Sequence, residues 1–198
     1  MLPPLILASR SPRRRQLLDA LGLSVTVKDV DVDEENPAPG FPIATVLERN
    51  AVLKAMAVLP EAPAGSIVVA ADTMVAIDGR ALGKPKNADE ARAMLHRLSG
   101  REHEVFTGLA LAAPGKATKT SCARSAVRFH PIAPDALERY IATREPYDKA
   151  GSYAVQGLGM LFIDRIEGSY TNVMGLPLEL FLVELESFSG LDRYRWFA

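Results

Sequence analysis

One cysteine, Cys122, stands in 198 residues, so no disulfide can form within the chain, and a reducing compartment fits. The three histidines and that cysteine make no zinc-ligand spacing, and His96 and His103 read as structural or solvated. No apolar run approaches the roughly 20 residues that span a bilayer, so no membrane association is expected. Excess positive charge is also missing. With 23 basic against 24 acidic residues the net charge is -1, which argues against wrapping nucleic acid and requires any anion site to be local. There is no Walker loop, no nucleophile elbow, and Gly157-Leu158-Gly159-Met160 lacks the third glycine of a dinucleotide fingerprint. Met1-Leu2-Pro3-Pro4 has no basic n-region and reads as a cytoplasmic start.

What is present is an ordinary globular composition, 48% hydrophobic and 24% charged, long enough for one generous domain or two lobes around a cleft. Leu5 to Ala8 reads as a strand, and Ser11-Pro12 as the N-cap and first position of a helix ending at Gly22. A second strand opens at Val25 and turns acidic through Asp29, Asp31, Asp33, Glu34 and Glu35, before a turn-rich break over 36–40. A helix over 43–59 precedes a buried strand over 66–71, an extended piece over 74–77, and a hairpin signal at Asp78-Gly79. Asn87 and Glu90 form a capping-box pattern for the next helix, stopped at Gly100. Strands over 104–112 and 119–129, a helix over 134–143, a strand over 160–166 and a helix opening at Pro177 complete the order. Interleaved helices, strands and hairpins predict a mixed α/β sheet.

Candidate chemistry starts at Ser9-Arg10-Ser11-Pro12-Arg13-Arg14-Arg15. A helix N-terminus carries unpaired N–H groups and partial positive charge, and here arginines add to it. Such a start suits a bound polyphosphate; the other reading is a solvated arginine face. Asp72-Thr73 follows the apolar run, where an acid serves as base or metal ligand, or simply begins a turn. Alternation puts Asp29, Asp31 and Asp33 on one face, and Glu34 on the side of Val30 and Val32. Glu34 and Asp72 would suit Mg²⁺ if the fold brings them together. Lys54 shares a helical face with Ile43 and Leu47, so it either snorkels to water or reaches a buried anion. Lys84 sits in the constrained Gly83-Lys84-Pro85 turn, suited to phosphate contact. Gln156, in a long glycine-bearing loop, offers a donor beside an acceptor that can pair with a pyrimidine edge.

Taken together, Leu7 to Arg14, Arg49 to Ala55, Ala71-Asp72-Thr73, Gly83-Lys84-Pro85 and Leu98-Ser99-Gly100 resemble the Maf family of nucleotide pyrophosphatases, also known as septum-formation inhibitor proteins. His103 to Thr107, Glu145 to Tyr153, Gln156 to Gly159, Ser169-Tyr170 and Val173 to Pro177 extend the likeness over nearly the whole chain. The resemblance implies one domain over 1–198, built on an elongated mixed sheet with two lobes around a nucleotide cleft, as in inosine triphosphatases. It implies hydrolysis of dTTP and UTP, and of modified pyrimidine triphosphates as further candidates, between the α- and β-phosphates. Mg²⁺ or Mn²⁺ is the implied cofactor, and a homodimer the implied assembly. Asp72 would be the proton acceptor and would bind the metal with Glu34. Ser9, Arg13, Lys54 and Lys84 would hold phosphates, Arg14 is a further substrate-binding candidate, and Arg13, Thr73 and Gln156 match the pyrimidine-specific set. A nucleotide-binding regulator of septum formation is the alternative, but such a protein has no need of a base beside the α-phosphate.

Overall fold

The computed structural model describes residues 2–38 and 40–197, Phe197 by its backbone alone. Met1, Pro39 of the turn-rich break and Ala198 lie outside the described residues. One sheet organises the chain, in the order β2 (Val25–Lys28), β1 (Leu5–Ala8), β3 (Ile67–Ile77), β5 (Glu102–Ala112), β6 (Lys119–Phe129), β7 (Ile163–Glu167). The short β4 (Arg80–Leu82) pairs with β3. β1 runs parallel to β2 and β3, while every other pairing is antiparallel, so the sheet is mixed. Asp78 and Gly79 both take positive φ, 52° and 68°, as a tight turn of this hand requires between β3 and β4.

The period of two along β3 divides the core. Val69 and Ala71 face α1 (Pro12–Ala20) and α6 (Leu178–Ser189), in a cluster with Leu7, Leu18, Phe181 and Trp196. Val68 and Ala70 face α2 (Ile43–Val58), against Ala51, Ala55 and Ala110. Beyond Ala71 the same alternation carries Asp72 to the α2 side and Thr73 to the α1 side. The far end of the sheet packs on α3 (Ala88–Leu98) and α4 (Pro134–Ile141) through Leu95, Leu98, Phe129 and Leu137. α2 lies very close to the sheet. A Cβ on Gly108 of β5 would stand 2.4 Å from the Leu47 carbonyl carbon, so only glycine permits this approach.

Several expectations are corrected. Asp72 does not follow the strand but lies within it, because β5 pairs with β3 from Val68 to Ala76 and carries it past the polar residues. β1, however, ends at Ala8 opposite Ala70, so Asp72 sits where the parallel edge opens. The acidic segment leaves the sheet after Lys28, since β1 offers no further partner, and 29–36 has no regular structure. Ser11 occupies the N-cap position without a side-chain bond; the hydroxyl of Ser9 accepts the Ser11 N–H instead, at 3.1 Å. The stretch over 158–162 is a helical turn and not a strand, because the Glu145 carboxylate accepts the N–H groups of Leu158 and Gly159. A short α5 (Tyr170–Met174), capped by the Ser169 hydroxyl, was not foreseen. Trp196 is buried and closes the core edge under α6.

Candidate active site

A cleft of about 390 Å³ opens at the carboxyl end of β1. Ser9, Arg13, Arg14, Glu34, Lys54, Asp72, Thr73 and Lys84 all line it. Gln156 does not. It is exposed next to Val155, the last rim residue of its loop.

On the α2 wall, Lys54 and Asp72 are each 7% exposed. The buried stripe of α2 reads Leu47, Asn50, Ala51, Lys54, Ala55 and Val58, so Asn50 and Lys54 project one turn apart toward β3. Lys54 Nζ donates to Asp72 Oδ1 at 2.7 Å and to the Ala71 carbonyl at 3.3 Å, and pairs with Glu34 Oε1 at 2.8 Å. It therefore reaches one buried anion, Asp72, and one at the cleft edge, Glu34, and does not snorkel. Asp72 Oδ2 accepts from Asn50 Nδ2 at 2.8 Å.

On the α1 wall, the arginines divide the work. Arg14 is buried and donates Nε to the Gly175 carbonyl at 2.7 Å, Nη1 to Ser9 Oγ at 3.2 Å and Nη2 to Thr73 Oγ1 at 3.1 Å. The Thr73 hydroxyl also meets Thr107 Oγ1 at 2.9 Å, so Thr73 supports Arg14 from within the protein. Burial lowers the Arg14 pKa, and the charges of Asp72 and Glu34 work against that shift. Arg13 donates Nε to the Met174 carbonyl at 3.3 Å and lines the cleft. Its pKa is lowered by burial, opposed by Asp148 across the opening. Arg15, by contrast, pairs with Asp19 on the solvated face.

The facing loop supplies residues that the sequence reading gave no role. Lys149 lines the cleft and pairs with Asp148. Burial disfavours the Asp148 carboxylate, but the bond from Lys149 and the charge of Arg13 outweigh it and hold the group below its usual range. The loop is tied to the Lys84 turn by the Gly151 N–H donating to the Gly83 carbonyl at 3.0 Å. Asn50 is the other omission. Its signal was a polar residue on an apolar helical stripe, one turn before Lys54.

Glu34 and Asp72 direct carboxylate oxygens at one cationic position, now held by the Lys54 ammonium. Among the described residues no group of three His, Cys, Asp or Glu side chains converges, so an all-protein metal cage does not fit. A Mg²⁺ or Mn²⁺ ion bound by one or two carboxylates, and completing its shell with phosphate oxygens and water, does fit this donor set.

Comparison with known proteins agrees with the fold. A family model described as Maf-like protein matches residues 4–188. The chain is 45% identical over 195 residues to a dTTP/UTP pyrophosphatase of Aromatoleum aromaticum, covering 92% of this chain and 94% of that protein. It is 47% identical over 190 residues to a dTTP/UTP pyrophosphatase of Syntrophus aciditrophicus, covering 94% and 91%. Among solved structures, the Ham1 protein of Staphylococcus aureus superposes with a TM-score of 0.53 at 15% identity, over 93% of this chain and 99% of that one, a likeness of fold.

Proposed function

This chain belongs to the Maf-like family, and from that premise we propose that it hydrolyses dTTP and UTP to the monophosphate and pyrophosphate. The observation that supports this most is the Asp72–Lys54–Glu34 cluster facing an arginine-lined helix start across one cleft. Phosphoryl transfer needs charge neutralisation and an in-line water more than covalent chemistry from the protein.

In this reading Arg13, Lys84 and the Ser9 hydroxyl bind the phosphate oxygens, and Arg14 holds Ser9 and the α1 start in place. Lys54 neutralises charge beside the α-phosphate while orienting Asp72. Asp72 accepts a proton from water as the water oxygen bonds to the α-phosphorus; the bond to the bridging oxygen breaks and pyrophosphate leaves. Glu34 and Asp72 would hold Mg²⁺ or Mn²⁺, which when bound neutralises phosphate oxygens and favours deprotonation of water. Gln156, at the tip of the loop beyond Val155, would meet the base, with Arg13 on the opposite rim. The homodimer belongs to this proposal too, as does the cytoplasmic setting. Among the described residues no helix is long and apolar enough to cross a membrane.

The test is purified protein with Mg²⁺ and a panel of triphosphates, scored for products. Monophosphate plus pyrophosphate from dTTP and UTP is expected. Inorganic phosphate plus diphosphate overturns the assigned bond, a preference for 7-methyl-GTP overturns the specificity, and tight binding without turnover favours the regulatory reading.

A further inference from the structure

Asn50 is fully buried, yet the reaction as written does not use it. All of its hydrogen-bonding positions toward the site are filled. Nδ2 donates to the Glu35 carbonyl at 3.0 Å and to Asp72 Oδ2 at 2.8 Å, and Oδ1 accepts the Glu35 N–H at 2.8 Å. These contacts fix which way the amide faces, since two acceptors must meet nitrogen and one donor must meet oxygen.

We propose that Asn50 is a positioning residue that clamps the acidic segment to the base, setting Glu34 and Asp72 in one register; this rests on the reading of Asp72 as base. The paired bonds to Glu35 replace the strand neighbour that residues 29–36 lack. Glu34, next in sequence, is thereby carried to Lys54. The third bond anchors Asp72 Oδ2, so the carboxylate cannot rotate and Oδ1 stays turned to Lys54. Asp at position 50 would keep the shape and the acceptor for Glu35 N–H but lose both donations. Such outer contacts to reacting groups typically govern rates by roughly 10- to 100-fold.

The test measures kcat and KM for dTTP in Asn50→Ala, Asn50→Ser and Asn50→Asp, with melting curves to establish the folded fraction. A fall in kcat of roughly 10- to 100-fold is expected, with KM moving less than about threefold. Unchanged kcat per folded molecule, whatever the melting temperature, overturns the proposal, and so does a loss confined to KM. Amide exchange in the unaltered protein gives a readout free of variants and turnover. The Glu35 N–H should exchange far more slowly than its neighbours in 29–36, and equal rates overturn the clamp. Should the unaltered protein hydrolyse no triphosphate, the assigned activity falls, while the exchange result still decides the clamp on its own.

Discussion

The Lys54 ammonium lies between two carboxylates, 2.7 Å from Asp72 and 2.8 Å from Glu34. It comes from a helix on one side of the sheet, and its partners come from a strand interior and an irregular segment. One buried cation thus joins three parts of the chain where the cleft begins.

Lys54→Met keeps length and removes charge. It should lower kcat/KM at least roughly 100-fold, as loss of a preorganised charge partner does. It should also cost about 2–3 kcal/mol of stability, because Asp72 loses its cation in a site with little access to water. Steady-state kinetics and urea unfolding check both. Activity at the level of the unaltered protein would remove Lys54 from the site.

Arg14 and Arg13 should respond differently to the same change. Arg14→Lys abandons a fork that meets Gly175, Ser9 and Thr73 together, and an ammonium cannot span those three directions. A loss of about 2–3 kcal/mol is expected in denaturant unfolding. Arg13→Lys, with one backbone contact, should leave stability within about 0.5 kcal/mol while raising KM for dTTP.

Gly108→Ala tests the approach of α2 to the sheet. The added methyl would meet the Leu47 backbone at 2.4 Å, with no flexible side chain to yield. Destabilisation of about 1–3 kcal/mol is expected. Because α2 carries Lys54 and Asn50, activity of the folded protein should fall as well. A fully active, equally stable variant would show that the helix can retreat without cost to the site.

His103 governs part of the acid response. Its Nε2 meets the Tyr153 hydroxyl at 2.8 Å, and burial pushes its pKa down to about 4 from 6.5. Between those values the unfolded chain binds the proton and the folded one does not, so stability is present above pH 6.5 and falls as pH drops toward about 4. The slope for this group approaches about 1.4 kcal/mol per pH unit. His103→Gln, which keeps a polar partner for Tyr153, should flatten that slope in unfolding measured at pH 7, 6 and 5.

Much of the frame was legible before the structure. β1 and the start of α1 are as expected, and so is β6; the Asp78-Gly79 turn and the cap of α3 by Asn87 through the Glu90 N–H, at 2.9 Å, are also found. Local signals placed them, because caps, turns and apolar periods act over a few residues. The site was legible by residue type and less so by role. Lys54 stood open between water and a buried anion, and only the neighbouring strand decided for the anion. Arg13 is the arginine that matches the pyrimidine-specific set, while Arg14 is the buried one. Asn50 gave only one local sign, a polar residue on an apolar helical stripe, and its role was hidden because its partners Glu35 and Asp72 lie 15 and 22 residues away. Gln156 matches the pyrimidine set together with Arg13 and Thr73, yet the structure leaves it exposed outside the cleft lining.

Periodicity and capping alone thus determined most of the strands and helices and their apolar faces, though not the 158–162 turn, α5 or the end of β2. Sheet order decided the rest. Arg14 reaches Gly175 across 161 residues, and Lys54 reaches Asp72 only because β3 outruns β1 beneath α2. Such contacts follow from which strands pair and how closely a helix can lie on them. Those are long-range packing choices that no local window of residues contains.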